Sequence, residues 1–206
     1  MDCTRETRKL FEELSLKVDL IKKEISDSIA IKAALLDDPI LLNMIVEISS
    51  QCVRSLSNGG KIIFCGNGGS FADAQHLSAE FTSRFLFDRQ ALASIALGTN
   101  NSGLTAMAND YGYEKVFSRE LEAIGTSADI LIGITTSGNS ENILNCARAA
   151  KILGIETFIL TGESGGRIRE MANCLRIPSN STARIQECHI LIGHIICGSV
   201  EAQMFK

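Results

Sequence analysis

The sequence predicts an α/β fold: a five-stranded parallel β-sheet with helices on both faces, preceded by N-terminal helices. Three observations predict it. Beyond residue 60, short apolar runs alternate with longer amphipathic segments, which is the order of a βαβ chain. The runs are almost continuously apolar rather than alternating, as in strands buried on both sides. Before residue 60 the pattern is helical only.

Residues 4–26 are polar, with Leu10, Leu14, Val18, Ile21 and Ile25 at helical spacing. This is a narrow stripe on a charged helix, and it must pack on something. A second helix is predicted over 38–56, ended by Asn58-Gly59-Gly60, a C-cap and turn signal. Strands are predicted at 61–65, 92–96, 130–134, 157–160 and 174–177. Helices are predicted at about 71–86, 101–109, 114–124, 140–153, 166–172 and 184–204. The two prolines are compatible with this: Pro39 falls in a first helical turn and Pro178 just past a strand. With no low-complexity stretch or long linker, residues 1–206 read as a single domain whose N-terminal helical extension covers about 1–58.

The chain has 206 residues, 45% apolar and 21% charged, with a net charge of −4. A mildly acidic protein lacks the broad basic surface needed for nucleic acid. The seven cysteines (Cys3, Cys52, Cys65, Cys146, Cys174, Cys188 and Cys197) form no C-x-x-C pair. With no leader pattern they are expected to be reduced, buried thiols of a cytoplasmic protein. No apolar stretch is expected to span a membrane, which needs ~20 residues.

Two corners stand out where strands hand over to helices, the place where open parallel sheets bind ligands. The first is Gly66-Asn67-Gly68-Gly69-Ser70. The second is Thr135-Thr136-Ser137-Gly138-Asn139-Ser140, with four hydroxyls in six residues. Each offers backbone N–H groups at the positive end of a helix dipole, a setting that suits phosphate. Neither continues as Gly-Lys-Ser/Thr, which excludes a Walker-type nucleotide loop. The G-x-G-x-x-G begun by Gly66 and Gly68 fails at Phe71, so a dinucleotide reading is weak. A single such corner reads as a tight turn with a serine N-cap; two in one sheet favour a phosphate cradle.

Three histidines are present. His76 and Glu80 lie four apart on the helix after the first corner, so both occupy one face. That spacing fits a shared metal ion, an acid beside a base, or a plain surface pair. His189 and His194 lie five apart on the last helix and point roughly 140° away from each other. His194 has Ile192, Ile195 and Ile196 for neighbours, and a core histidine bonded to a backbone carbonyl would look the same. Gln186 and His194 are eight residues apart, roughly 12 Å of helix rise. They share a ligand only by reaching from different turns, or from different subunits.

Taken together, the first corner with Asp73-Ala74-Gln75-His76, Glu80 and Arg84 resembles the sugar-isomerase (SIS) domain of bacterial phosphoheptose isomerases. So do Asn109-Asp110-Tyr111-Gly112-Tyr113, the second corner, and Arg184-Ile185-Gln186-Glu187 with His194. The likeness covers essentially the whole chain. It implies a flavodoxin-like three-layer SIS domain, a homotetramer, and active sites lined by more than one subunit. It implies one zinc ion per site on His76, Glu80, Gln186 and His194. It implies sugar-phosphate contacts from Asn67, Gly68, Gly69, Thr99, Asn100, Thr135, Thr136, Ser137, Ser140, Gln186 and Glu80, to which the phosphate argument adds Ser70. Where many members carry Asp, this chain has Asn100, which can hydrogen-bond a sugar but cannot act as a base.

The expected reaction is ketose–aldose isomerisation through an enediol, turning sedoheptulose 7-phosphate into D-glycero-D-manno-heptopyranose 7-phosphate for lipopolysaccharide or capsule. Glu80 would be the base at C1 and His194 the acid serving the carbonyl oxygen. A zinc-bound carboxylate is a poorer base, so either Glu80 leaves the metal in turnover or the metal chiefly organises the site. The rivals are a non-catalytic SIS-domain regulator of the replication-initiation type that binds a protein partner, and an isomerase of another sugar phosphate. Glu80 together with His194 weighs against the first; spacing does not measure the sugar's length.

Overall fold

A computed structural model describes the backbone of residues 3–206 and the side chains from Leu16 onward. Helix α1 (Cys3–Leu36) is followed by α2 (Pro39–Ser57). The expected end of the first helix near 26 is corrected, because residues 29–36 are good helix formers and nothing interrupts them before Asp37-Asp38-Pro39. There Asp38 turns extended, as the residue before proline must, and its Oδ1 accepts the N–H groups of Ile40 and Leu41, each at 3.0 Å. Of the expected apolar stripe, Leu10 and Leu14 lie outside the described side chains. Val18, Ile21 and Ile25 are exposed, so that face of α1 finds no cover among the described residues.

The sheet elements follow: β1 (Ile62–Gly66), α3 (Gly69–Thr82), β2 (Ser94–Ala96), α4 (Asn101–Tyr111), α5 (Val116–Ile124), β3 (Ile130–Ile134), α6 (Glu141–Leu153), β4 (Glu156–Thr161), β5 (Asn173–Arg176) and α7 (Thr182–Phe205). Two expectations are corrected. The helix expected over 114–124 begins as a separate 3-10 turn (Tyr113–Lys115), and the one expected over 166–172 is only a 3-10 turn (Arg167–Glu170). Positive-φ glycines at 165 and 166 stop the latter from starting earlier.

All strand pairs are parallel, in the order β2-β1-β3-β4-β5. Along β1 the pleat sends Ile62 and Phe64 into a core with α2, α3 and α7, and Ile63 and Cys65 into a core with α5 and α6. The strand order reverses between β1 and β3, and their last residues, Gly66 and Ile134, are paired in register. The two unusual corners therefore start level with each other, side by side at the switch point.

The expectation about membrane-length segments needs one amendment. By length and composition α7 is long and apolar enough to span a bilayer. It is instead a core helix, packed on α2 and α3 and carrying the buried polar side chains His189 and Glu201. Of the six cysteines described, all are free and all but the half-buried Cys174 are buried.

Candidate active site

The first corner is a turn that only glycine suits at one point: Gly68, the N-cap of α3, has φ +56° and no side-chain cap. Ser70 N–H donates to the Asn67 carbonyl and Phe71 N–H to that of Gly68, closing the turn. Ser70 itself is buried. The Asn67 amide is fixed by a reciprocal pair with Asn142: Asn67 Nδ2 donates to Asn142 Oδ1 (2.9 Å) and Asn142 Nδ2 to Asn67 Oδ1 (2.8 Å). Tyr113 Oη adds a third bond to Asn67 Oδ1 at 3.0 Å. Asn142 is buried on α6, so this pair ties one corner to the helix that leaves the other.

At the second corner Thr135 is buried, with its Oγ1 accepting the Gly138 N–H (3.3 Å), and Ser137 Oγ accepts that of Asn139 (3.2 Å). Gly138 has φ +65°, and a Cβ there would fall 2.1 Å from the Gly165 carbonyl oxygen. Ser140 is the N-cap of α6 without a side-chain capping bond. Serine capping therefore explains neither corner. Thr136 and Ser137 also line a polar cleft of about 220 Å³ together with Asn139, Ser179 and Asn180.

Thr99 and Asn100 sit one strand away, after β2, and bond locally. Thr99 Oγ1 donates to the Ala96 carbonyl, and Asn100 is the N-cap of α4, its Oδ1 accepting the Gly103 N–H at 3.1 Å. The asparagine at this position thus has a structural role that aspartate would fill equally.

Helices α3 and α7 lie against each other; a Cβ at Gly193 would fall 2.5 Å from the Leu77 side chain. This contact sets His194 opposite the first helix. His76 Nε2 is 2.9 Å from His194 Nε2 and 3.3 Å from Glu80 Oε1, and one ligand atom from each of the three residues lies within 4.8 Å of the others. The Phe85 ring stacks on His194 with centroids 5.4 Å apart and 21° between planes. Gln186 stands nearer the corner, where a Cβ at Gly69 would meet its Nε2 at 2.6 Å.

The core histidine is His189, not His194. It is fully buried, its Nε2 donates to the Thr161 carbonyl at 3.2 Å, and burial lowers its pKa to about 4. Sequence reasoning gave no site role to four residues that the fold brings to the site: Asp73 and Tyr113, which it quoted only within matching motifs, and Phe85 and Asn142, which it did not single out. Asp73 was findable from its i,i+3 relation to His76. Burial raises its pKa against the opposing pull of His76 and His194, and its Oδ2 is buried without a partner among the described residues.

Two imidazole nitrogens and a carboxylate oxygen converging in this way form a group able to hold a metal ion, and N/O donors of this kind suit zinc. Either one imidazole donates a proton to the other across 2.9 Å, or both Nε2 atoms turn their lone pairs to a common cation.

Comparison with known proteins agrees with this architecture. The SIS domain pattern matches residues 41–162. The phosphoheptose isomerase of Aneurinibacillus thermoaerophilus is 50% identical over 91% of this chain and 96% of its own. The solved phosphoheptose isomerase of Neisseria gonorrhoeae superposes with a TM-score of 0.83 at 40% identity, over 89% of this chain and 98% of that one. That of Francisella tularensis gives 0.85 at 37% identity, over 90% and 98%. With about half of the residues identical to such a relative over nine-tenths of the chain, and the fold shared with two solved members, the chain belongs to the phosphoheptose isomerase family of SIS-domain proteins.

Proposed function

We propose that this chain interconverts sedoheptulose 7-phosphate and D-glycero-D-manno-heptopyranose 7-phosphate in the cytoplasm, supplying heptose for lipopolysaccharide or capsule. The observation that carries the reading is the convergence of Glu80, His76 and His194 beside two uncapped helix N-termini at one switch point.

The phosphate sits at the second corner, on Thr135, Thr136, Ser137 and Ser140 and the first N–H groups of α6. The sugar runs from there past Asn67, Gly68, Gly69 and Ser70, with Gln186, Thr99 and Asn100 on its hydroxyls. Binding energy from the phosphate end positions the C1–C2 unit at the charged end. A Glu80 carboxylate oxygen takes the C1 proton, exchanges it with the water that its partly exposed side chain reaches, and delivers a proton at C2. His194, through the ring nitrogen that zinc leaves free, gives a proton to the carbonyl oxygen and takes one from the neighbouring hydroxyl. His76, Glu80, Gln186 and His194 would hold one zinc ion, which when bound supplies Lewis-acid polarisation of the carbonyl.

The chain functions as one domain over residues 1–206, with residues 1–58 as its helical extension, and assembles as a homotetramer with active sites near subunit interfaces. The exposed Val18, Ile21 and Ile25 of α1 supply an apolar face for that assembly.

The test is to incubate zinc-loaded protein with sedoheptulose 7-phosphate and follow aldose formation by NMR, with bound zinc measured by elemental analysis. Conversion by the wild type, lost in Glu80→Gln and His194→Gln, supports the reading, as does a fall in bound zinc for His76→Ala. No conversion by folded, zinc-loaded protein would contradict it.

A further inference from the structure

A second cluster of charge lies beyond the site and is almost wholly enclosed. The Arg89 and Glu201 side chains are 2% and 0% exposed, and Arg89 Nε donates to Glu201 Oε1 at 3.0 Å. Enclosing an ion pair costs several kcal/mol per ion unless every remaining donor and acceptor is engaged. Here each nitrogen and oxygen of the pair has at least one partner, and the partners are specific. Arg89 Nη2 donates to the Glu80 carbonyl (2.8 Å), and Nη1 to those of Phe81 (2.8 Å), Ser83 (3.1 Å) and Gln90 (2.9 Å). Glu201 accepts the backbone N–H groups of Phe85 (3.0 Å) and Leu86 (2.7 Å).

These bonds have two consequences for the acid–base pair. The guanidinium caps the last carbonyls of α3, where a cation is favoured by the helix dipole, and so fixes the turn that carries Glu80. The carboxylate, on α7 seven residues beyond His194, pins the Phe85 backbone. Phe85 then stacks its ring on His194. One ion pair thus joins the helix bearing Glu80, the connection after it, and the helix bearing His194.

We infer that Arg89 and Glu201 are positioning residues for the reaction, setting the Glu80 turn directly and the His194 ring through Phe85. The inference rests on the assignment of Glu80 and His194 as base and acid. Neither Arg89 and Glu201 nor the intervening Phe85 need touch the sugar. Their effect is expected in kcat rather than KM, because displacing a reacting group by about 1 Å can cost on the order of 100-fold.

Breaking the pair by a single substitution leaves a buried charge unmatched and can unfold the protein. Two other variants avoid this. Phe85→Leu leaves the ion pair intact. The double variant Arg89→Met with Glu201→Leu removes both charges together, so no buried charge is left unmatched, at the cost of the backbone groups they bonded. Each is compared with wild type, zinc-loaded and full-length, for kcat, KM and the imidazole NMR signals. Only three histidines contribute those signals.

The expected result is a kcat about tenfold lower or more in both variants with KM within about twofold, together with loss, in the double variant that keeps the ring, of the ring-current shift that Phe85 imposes on His194. An unchanged kcat, or a lowered kcat with the His194 signal unmoved, would overturn the inference. Were the wild type inactive on the sugar phosphate, the proposed function would fail. The His194 signal of the double variant, which keeps the Phe85 ring, would then decide alone: moved it supports positioning, unmoved it refutes it.

Discussion

The two corners at the switch point are the same strand–turn–helix unit, yet they offer opposite chemistry. The second corner's own side chains are neutral: Thr135, Thr136, Ser137, Asn139 and Ser140 present hydroxyls, an amide and a helix N-terminus. Charge lies at the rim, where Glu163 lines the cleft and Glu141 pairs with Arg148 and Arg167. Behind the first, α3 and α7 bring two imidazoles and a carboxylate within 4.8 Å. The difference teaches a division of labour. A neutral cradle can hold a dianion by hydrogen bonds and dipoles without competing for protons, while the titratable groups are kept at the other end where protons must move. The half-buried Asn67–Asn142 amide pair ties the two corners together at a fixed separation.

The largest effect that can break this comparison is at the charged end. Glu80→Gln keeps the size of the side chain but removes the base, and is expected to lower kcat by roughly 100- to 10,000-fold, read by NMR of the sugar. Near-normal turnover with metal bound would remove Glu80 from its role.

The second prediction contrasts the histidines on the two sides of α7. His189 has its folded pKa lowered from 6.5 to about 4, so the unfolded chain binds the extra proton first as pH falls. Stability from this group is full above about pH 6.5 and declines through the window down to about pH 4, by about 3 kcal/mol in all. Denaturant titrations should show that decline in wild type and a flatter profile in His189→Gln, after allowance for a constant offset from the lost packing. Equal slopes would mean His189 is not held neutral.

At the cradle, Ser137→Ala removes one hydroxyl from a charged ligand. A hydrogen bond to a charge contributes about 1.5–3 kcal/mol, so KM should rise roughly 10-fold or more. A fall in kcat with KM unchanged would place Ser137 at the reacting end instead. The smallest effect is expected at Asn100. Asn100→Asp keeps the α4 cap, so melting temperature should barely move and turnover should stay within about twofold. A large gain in kcat would show that a carboxylate there takes part in the chemistry.

Much of this was legible in the sequence, for reasons that differ by element. The strand at 130–134 was readable to the residue because five buried positions in a row leave no other period to fit. Both corners were readable because glycine and hydroxyl residues between a strand and a helix have few other uses. His76 and Glu80 were readable as a pair because four residues make one turn. His194 was not, since it reaches His76 across 118 positions through the packing of Leu77 on Gly193, and spacing is silent about tertiary contact. For the same reason the resemblance to a family, rather than periodicity, singled out His194 over His189. The extension of α1 to Leu36 was missed although the break at Asp37-Asp38-Pro39 was in plain view. The Arg89–Glu201 pair was hidden for a different reason: two charges 112 residues apart look like surface residues until a fold encloses them.

The central claim is proton transfer at C1–C2 by Glu80, and the measurement that tests it most directly is isomerisation in D2O. The account predicts that wild-type product carries solvent deuterium at C2 and that Glu80→Gln incorporates none, in product or in recovered ketose. Efficient conversion by wild type with no deuterium at C2, or undiminished exchange in Glu80→Gln, would contradict it.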